Sequence, residues 1–404
     1  MTSIDLSNRR VAIIGGGPAG LMAAEVIARA GAAVTIFERM PSIGRKLLMA
    51  GRGGLNLTHS EPIERFTARY GAAADWLGPL LHAFPPQALI AWCEELGQPT
   101  FVGTSGRVFP KAMKASPLLR AWIARLNELR VRIVTRAQWT GWNADRALTF
   151  ADGTNFAADA TVLALGGASW PRLGSDGSWP ALLPDIEITS LRPANCGFIV
   201  PWSEVFQGRH AGTPLKRIAL TFAGQTVRGE AMITAQGIEG GAVYALSAPI
   251  REAIAQHGQA RVYIDLLPDM AVETLAKKLE APRGSASMSN YLRKQANLPP
   301  VAIGLVQEAL HAGDTPALAE LIKGVRVRLT APFGLARAIS TAGGIARHQV
   351  DSRLMLQRRP GLFVAGEMLD WEAPTGGYLL QGCMATGVAA GRGVIGWLSE
   401  THAD

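Results

Sequence analysis

Cysteine is scarce. Cys93, Cys196 and Cys383 are the only three in 404 residues, and none forms a CxxC pair. That spacing excludes a redox dithiol and a zinc knuckle. Three thiols cannot all pair within the chain, so a reducing, cytoplasmic setting is expected. No charge-free apolar span reaches the roughly eighteen residues that a membrane helix needs. The opening MTSIDLSNRR holds no apolar core of a signal peptide. Histidines and carboxylates show no metal-ligand spacing, so no metal is expected, and no hydrolase triad motif occurs. Acidic residues are nearly missing from one stretch. Arg107, Lys111, Lys114, Arg120, Arg125, Arg130, Arg132 and Arg136 stand there against Glu128 alone. In a chain of net charge +8, that stretch reads either as a solvated face or as a track for an anionic partner such as RNA.

The chain is longer than the roughly 250–300 residues at which single cores stop growing, so two or three domains are expected. Residues 11–14 read as an apolar strand, 15–20 as a turn, the next stretch to about 30 as a helix, and 33–37 as a second strand. Gly15-x-Gly17-x-x-Gly20 lies between that strand and helix. Gly15 allows a tight turn, Gly17 lets backbone approach a pyrophosphate, and Gly20 permits close helix packing. Glu38 ends the second strand, where a carboxylate can accept from adenosine ribose hydroxyls. This is a dinucleotide-binding fingerprint.

A second constellation follows: Gly44-Arg45-Lys46-Leu47-Leu48, then Gly51-Arg52-Gly53-Gly54-Leu55-Asn56-Leu57-Thr58. Arg45 and Lys46 can neutralise a diphosphate or an anionic substrate. Gly51 and its neighbours let backbone amides converge on an anion or a flat ring. Asn56 and Thr58 add hydrogen-bonding groups. His59 is a candidate acid or phosphate contact. Downstream, the texture turns to short strands after about 191, to helices over 269–323, and to strand again at 325–329. The last seventy residues repeat a strand-glycine-helix pattern, so the chain is expected to leave its first domain and return to it.

The chain resembles the HI0933-like bacterial FAD flavoproteins, also described as bile-acid desaturase-like, within the superfamily of glutathione reductase-type FAD-binding domains. The matching segments are 11–20, 44–58, 162–176, 233–247 and 361–387. The resemblance implies an α/β fold: a discontinuous Rossmann-like FAD-binding domain with an inserted β-rich, barrel-like domain that itself carries a helical subdomain. The boundaries expected are 1–190 and 346–404 for the FAD domain, 191–268 and 325–345 for the β-rich insert, and 269–324 for the helices.

By the same likeness, Gly166 passes the cofactor, Gly366 and Glu367 approach the ribityl-phosphate region, and Gly376, Gly377 and Tyr378 lie near the isoalloxazine ring. Physically, Glu367 suits a hydroxyl or backbone amide better than a phosphate, and Asp370 is a second candidate for that role. The two glycines let backbone N–H groups reach the flavin, and a helix beginning near Gln381 can stabilise negative charge on it. Ala19, Arg39, Val134 and Leu379 complete the expected cofactor contacts. Many relatives carry a cysteine where this chain has Leu55, so no thiol chemistry is expected there, and Cys383 reads as a buried structural cysteine.

The expected activity is FAD-dependent oxidoreduction of an unidentified small molecule by hydride transfer, with NAD(P)H as candidate reductant. No second GxGxxG supports a separate reductase domain. The alternatives are a flavoenzyme reducing a ribosomal RNA uridine to dihydrouridine, which the resemblance implies for some relatives, and a non-enzymatic FAD-binding protein. No residue is singled out as catalytic acid or base.

Overall fold

A computed structural model describes residues 6–313 and 316–401. The chain divides into two compact units, one formed by Met1–Arg192 with Ser340–Asp404 and the other by Pro193–Ile339.

The first unit is built on a five-stranded sheet. Its order is Leu362–Val364, Ala160–Leu163, Arg10–Ile14, Ala33–Glu38 and Arg132–Thr135. Every pairing in it is parallel. Parallel strands are covered on both faces, which is why Val11, Ala12, Ile13 and Ile14 form an unbroken apolar run and are all buried. The helix Pro18–Arg29 follows the first strand, with proline at the start where a missing N–H costs nothing. The C-terminal helix Tyr378–Glu400 packs against it. A β-carbon on Gly387 would come within 2.5 Å of the Ala19 carbonyl, so only glycine allows this approach. Both ends of the chain therefore share one core.

That helix begins at Tyr378, three residues before the expected Gln381. Gly377, at φ 99°, turns the chain directly into it. Residues 340–345, expected in the inserted domain, also differ. Ser340–Ile345 belongs to the first unit and pairs with the strand that begins at Ile188, and all six of its residues are buried. A side chain on Gly343 would strike the Ser190 carbonyl. The segment's glycines hid a strand that exists through close backbone packing.

The second unit holds a seven-stranded sheet, in the order Val325–Leu329, Ala260–Asp265, Pro214–Phe222, Gln225–Thr234, Gly237–Glu239, Phe198–Ile199 and Ala331–Pro332. Its pairings are antiparallel. The helices Val272–Lys278, Met288–Ala296, Pro300–His311 and Leu318–Lys323 contribute Leu275, Leu292, Leu305 and Leu321 to the same core as Leu220, Val262 and Val327 of the sheet. Among the described residues, no helix is long and apolar enough to cross a membrane.

Candidate cofactor site

A cleft lies at the carboxyl ends of the first unit's strands, where open parallel sheets bind ligands. Gly15, Gly17, Ala19, Glu38, Arg39, Arg45, Lys46, Gly166, Gly366 and Glu367 all line it.

The glycine turn divides its labour. Gly15 has φ 112°, and a side chain there would strike the Ala164 carbonyl of the neighbouring strand. Gly20 is buried under the turn, against the Gly15 carbonyl and Ile13. A β-carbon on Gly17 would meet nothing within 4 Å, so its backbone is open to the cleft. The helix that follows has no side-chain cap and no acid in its first turn. Its free amides and dipole suit a diphosphate.

Glu38 reaches back across this turn. Its two carboxylate oxygens accept from Gly16 N–H and Met40 N–H, each at 2.8 Å. Each oxygen keeps a further lone pair for a ribose hydroxyl. Arg39 pairs with Asp176 at 2.7 Å. Asp176 and its neighbours Gly174 and Ser175 also line the cleft. The GSDGS sequence at 174–178 was the available signal for them.

On the opposite wall, Lys46 Nζ lies 2.8 Å from Glu367 Oε2 and 3.3 Å from Ser169 Oγ. Glu367 thus meets an ammonium, not the hydroxyl or amide expected of it. Long-range folding alone brings the two residues together. Asp370 accepts from Thr189 Oγ1 at 2.7 Å. Gly366 and Gly166 have φ 79° and 75°. Their carbonyls accept from the indoles of Trp371 and Trp179, at 2.9 and 3.0 Å.

The rest of the expected set lies off this lining. Val134 pairs with Phe37 in the sheet, while Ala137, Gln138 and Trp139 face the cleft in its stead. Gly51 packs against Ala115. Gly377 lies against the backbone of Thr58, and Gly376 precedes it at φ 131°. Tyr378 is buried, and Leu379 packs against the core. Asn56 Oδ1, Thr58 Oγ1 and Arg45 Nε are buried without a partner. Native proteins rarely leave such atoms unsatisfied, so the orphans fit a polar ligand at this second constellation. Cys383 lines the cleft, and burial pushes its thiol well above the ordinary range.

Within the basic stretch 107–136, Arg125 is committed to the fold. Its Nη1 lies 3.2 Å from Glu25, a buried carboxylate that also accepts from Arg29 and Trp92. The other seven basic residues there are all exposed, and none has an ion-pair partner among the described residues. No group of three or more potential metal ligands occurs among the described residues.

The family model for the HI0933-like protein Rossmann domain matches residues 9–393. The chain is 29% identical to a 3-dehydro-bile acid delta(4,6)-reductase of Clostridium scindens, over 95% of this chain and 98% of that one. It is 26% identical to a ribosomal RNA dihydrouridine synthase of Escherichia coli, over 95% and 97%. Among solved structures it resembles a flavocytochrome c3 fumarate reductase, with TM-score 0.51, 16% identity, and coverage of 96% of this chain and 78% of that one. It also resembles a 3-ketosteroid-delta4-(5alpha)-dehydrogenase from Rhodococcus jostii, with TM-score 0.50, 16% identity and 96% coverage of each. At those identities the structures establish the fold alone. The glycine turn, the two-ended core and the family match lead to one conclusion: the chain belongs to the HI0933-like family and carries its discontinuous Rossmann-like FAD-binding domain.

Proposed function

We propose that this protein is an FAD-dependent reductase that saturates a carbon–carbon double bond conjugated to a carbonyl. The observation carrying this reading is a shared chemistry. A bile-acid delta(4,6)-reductase and a dihydrouridine synthase, both similar along nearly this whole chain, act by their names on a double bond. In a 3-oxo-4,6-diene and in uracil alike, that bond is conjugated to a carbonyl, which prepares the far carbon for hydride. Bound FAD supplies two-electron transfer. In this reading the Gly15–Gly20 turn and its helix hold the diphosphate, Glu38 holds the adenosine ribose, and Lys46 with Glu367 holds the ribityl side.

NAD(P)H is the reductant in this proposal, and it has no domain of its own. The second unit's sheet is antiparallel in every pairing, unlike a second dinucleotide fold. Nicotinamide and substrate then take turns at one flavin face. Steady-state kinetics with an enone acceptor are expected to give parallel double-reciprocal lines. Intersecting lines would reject the shared face.

A uracil in RNA is the substrate that the seven unpaired basic residues of 107–136 favour, because phosphate contacts supply most of the affinity for RNA. The test is nucleoside and metabolite profiling of a deletion strain, with rescue by purified flavinated protein. Loss of a dihydrouridine supports the RNA reading. Intact RNA nucleosides with an accumulated enone metabolite support a small molecule. No change in either class would reject the reductase.

A further inference from the structure

The open edge of the second unit's sheet carries positive charge that its own stability does not call for. Val325–Leu329 is the edge strand, and Ala260–Asp265 is its neighbour. Burial alternates along both. Val325, Val327 and Leu329 face the core while Arg326 and Arg328 are exposed. Ala260, Val262 and Ile264 face the core while Arg261 and Tyr263 are exposed. The register sets Arg261 directly opposite Arg328, and Tyr263 opposite Arg326. Like charges at facing positions of a sheet repel and destabilise it. Neither Arg261 nor Arg328 has an ion-pair partner among the described residues. The carboxylate on the same row, Asp265, is neutralised by Lys323 at 2.7 Å. Tyr263 is 44% exposed, a large aromatic left in water. Edge charges can guard a sheet against strand pairing. That accounts for the arginines of the edge strand but not for Arg261, one strand inward.

We propose that this face is a contact surface for single-stranded RNA, with Arg261 and Arg328 on neighbouring phosphates and Tyr263 stacked on a base. Guanidinium groups match phosphate geometry, and an exposed aromatic beside a basic row is the means by which proteins hold unpaired strands without reading their sequence. The surface deepens the RNA reading above and rests on it for its partner. It lies outside the unit that carries the FAD-binding domain.

The test uses the FAD-loaded full chain and a short fluorescein-labelled oligouridylate, with anisotropy measured over a salt series. Arg261→Gln with Arg328→Gln is expected to weaken binding at least about tenfold at low salt. The same pair should flatten the log–log salt slope by about 1.4, at about 0.7 per phosphate contact. It should also raise the thermal midpoint, because the repulsion is gone. Opposite signs for stability and binding are what a merely structural role would not produce. Tyr263→Ala is expected to weaken binding roughly tenfold while leaving the slope unchanged. Retained flavin and an unaltered far-ultraviolet spectrum establish that each variant is folded. Lysine at both arginine positions is expected to keep the parental slope.

Parental affinity and slope in both the double variant and Tyr263→Ala would overturn the surface. So would binding to phosphatidylglycerol vesicles with none to the oligonucleotide. If these variants lose binding yet a deletion strain keeps every dihydrouridine, the surface stands and the RNA-substrate reading falls. If dihydrouridine disappears from that strain while the variants bind like the parent, the surface falls and the substrate reading survives.

Discussion

The hydroxyl of Tyr378 donates to Glu61 Oε1 at 2.5 Å, and Arg69 grips the same carboxylate at 3.1 and 2.9 Å. Burial alone would raise Glu61, but the hydrogen bonds from Arg69 and Tyr378 outweigh it and hold the carboxyl below its ordinary 4.5. Burial, then the bond to Glu61, pushes the Tyr378 phenol well above its usual range. His59 stacks on the Tyr378 ring at 5.6 Å. Its Nδ1 lies 3.1 Å from the Glu61 amide nitrogen, and its Nε2 lies 3.0 Å from the Ser105 carbonyl. His59, a candidate acid by sequence, has both nitrogens engaged by the backbone. This network pins the first turn of the C-terminal helix to the loop after the second glycine constellation.

Tyr378→Phe is expected to cost about 1.5–3 kcal/mol, the usual loss for a hydrogen bond to a charged group. Because Glu61 is depressed in the folded state, its contribution is present above pH 4.5 and is lost as pH falls through the folded value. The stability gap between the parent and Glu61→Gln should therefore narrow as pH falls below 4.5 and through the lowered folded-state value. Urea unfolding at neutral and acid pH measures it, and a gap independent of pH would contradict the assignment.

Gly377→Ala is expected to be among the most damaging substitutions in the chain. Its φ is 99°, and the new β-carbon would lie 2.5 Å from the Thr58 α-carbon, which is backbone and cannot swing aside. A loss of about 1–3 kcal/mol follows from the strained backbone alone. Thermal melts with and without added FAD would register it. A melt unchanged from the parent would mean that the two segments do not touch.

Glu38→Ala should release flavin during purification. It frees the amides of Gly16 and Met40 from the carboxylate that holds the turn, and it removes the acceptor facing the ribose. Glu38→Gln, which keeps one acceptor oxygen, should retain an intermediate amount. The ratio of flavin to protein absorbance reads this directly. Equal flavin in all three proteins would remove Glu38 from the cofactor site.

Arg125→Gln and the pair Arg120→Gln with Arg132→Gln should behave differently although all three arginines lie in one basic stretch. Arg125 faces Glu25, which is 2% exposed, and losing a partner of a buried carboxylate costs about 3 kcal/mol. Arg120 and Arg132 are exposed, so their replacement should stay within about 0.5 kcal/mol. Chemical denaturation separates the two cases. Equal losses would mean that Glu25 is held by Arg29 and Trp92 without Arg125.

Local patterns made the first strand, the glycine turn, its helix and Glu38 legible from sequence, because each is specified by neighbours within about forty residues. The same holds for the Thr100–Val102 and Arg107–Pro110 hairpin, whose intervening Ser105-Gly106 is a local turn signal. What stayed hidden depends on contacts between distant segments. Lys46 and Glu367 lie 321 residues apart and meet only when both ends of the chain close on one sheet. The strand Ser340–Ile345, expected in the β-rich insert, joins the first unit with Gly343 and Gly344 pressed against other backbone. The eight basic residues of 107–136 are equal in sequence, yet burial of Glu25 claims Arg125 for the core. Propensity and spacing are properties of short stretches, so they determined the cofactor fingerprint. Close backbone approach and the pairing of remote charges are properties of the folded chain, so tertiary structure alone decided them.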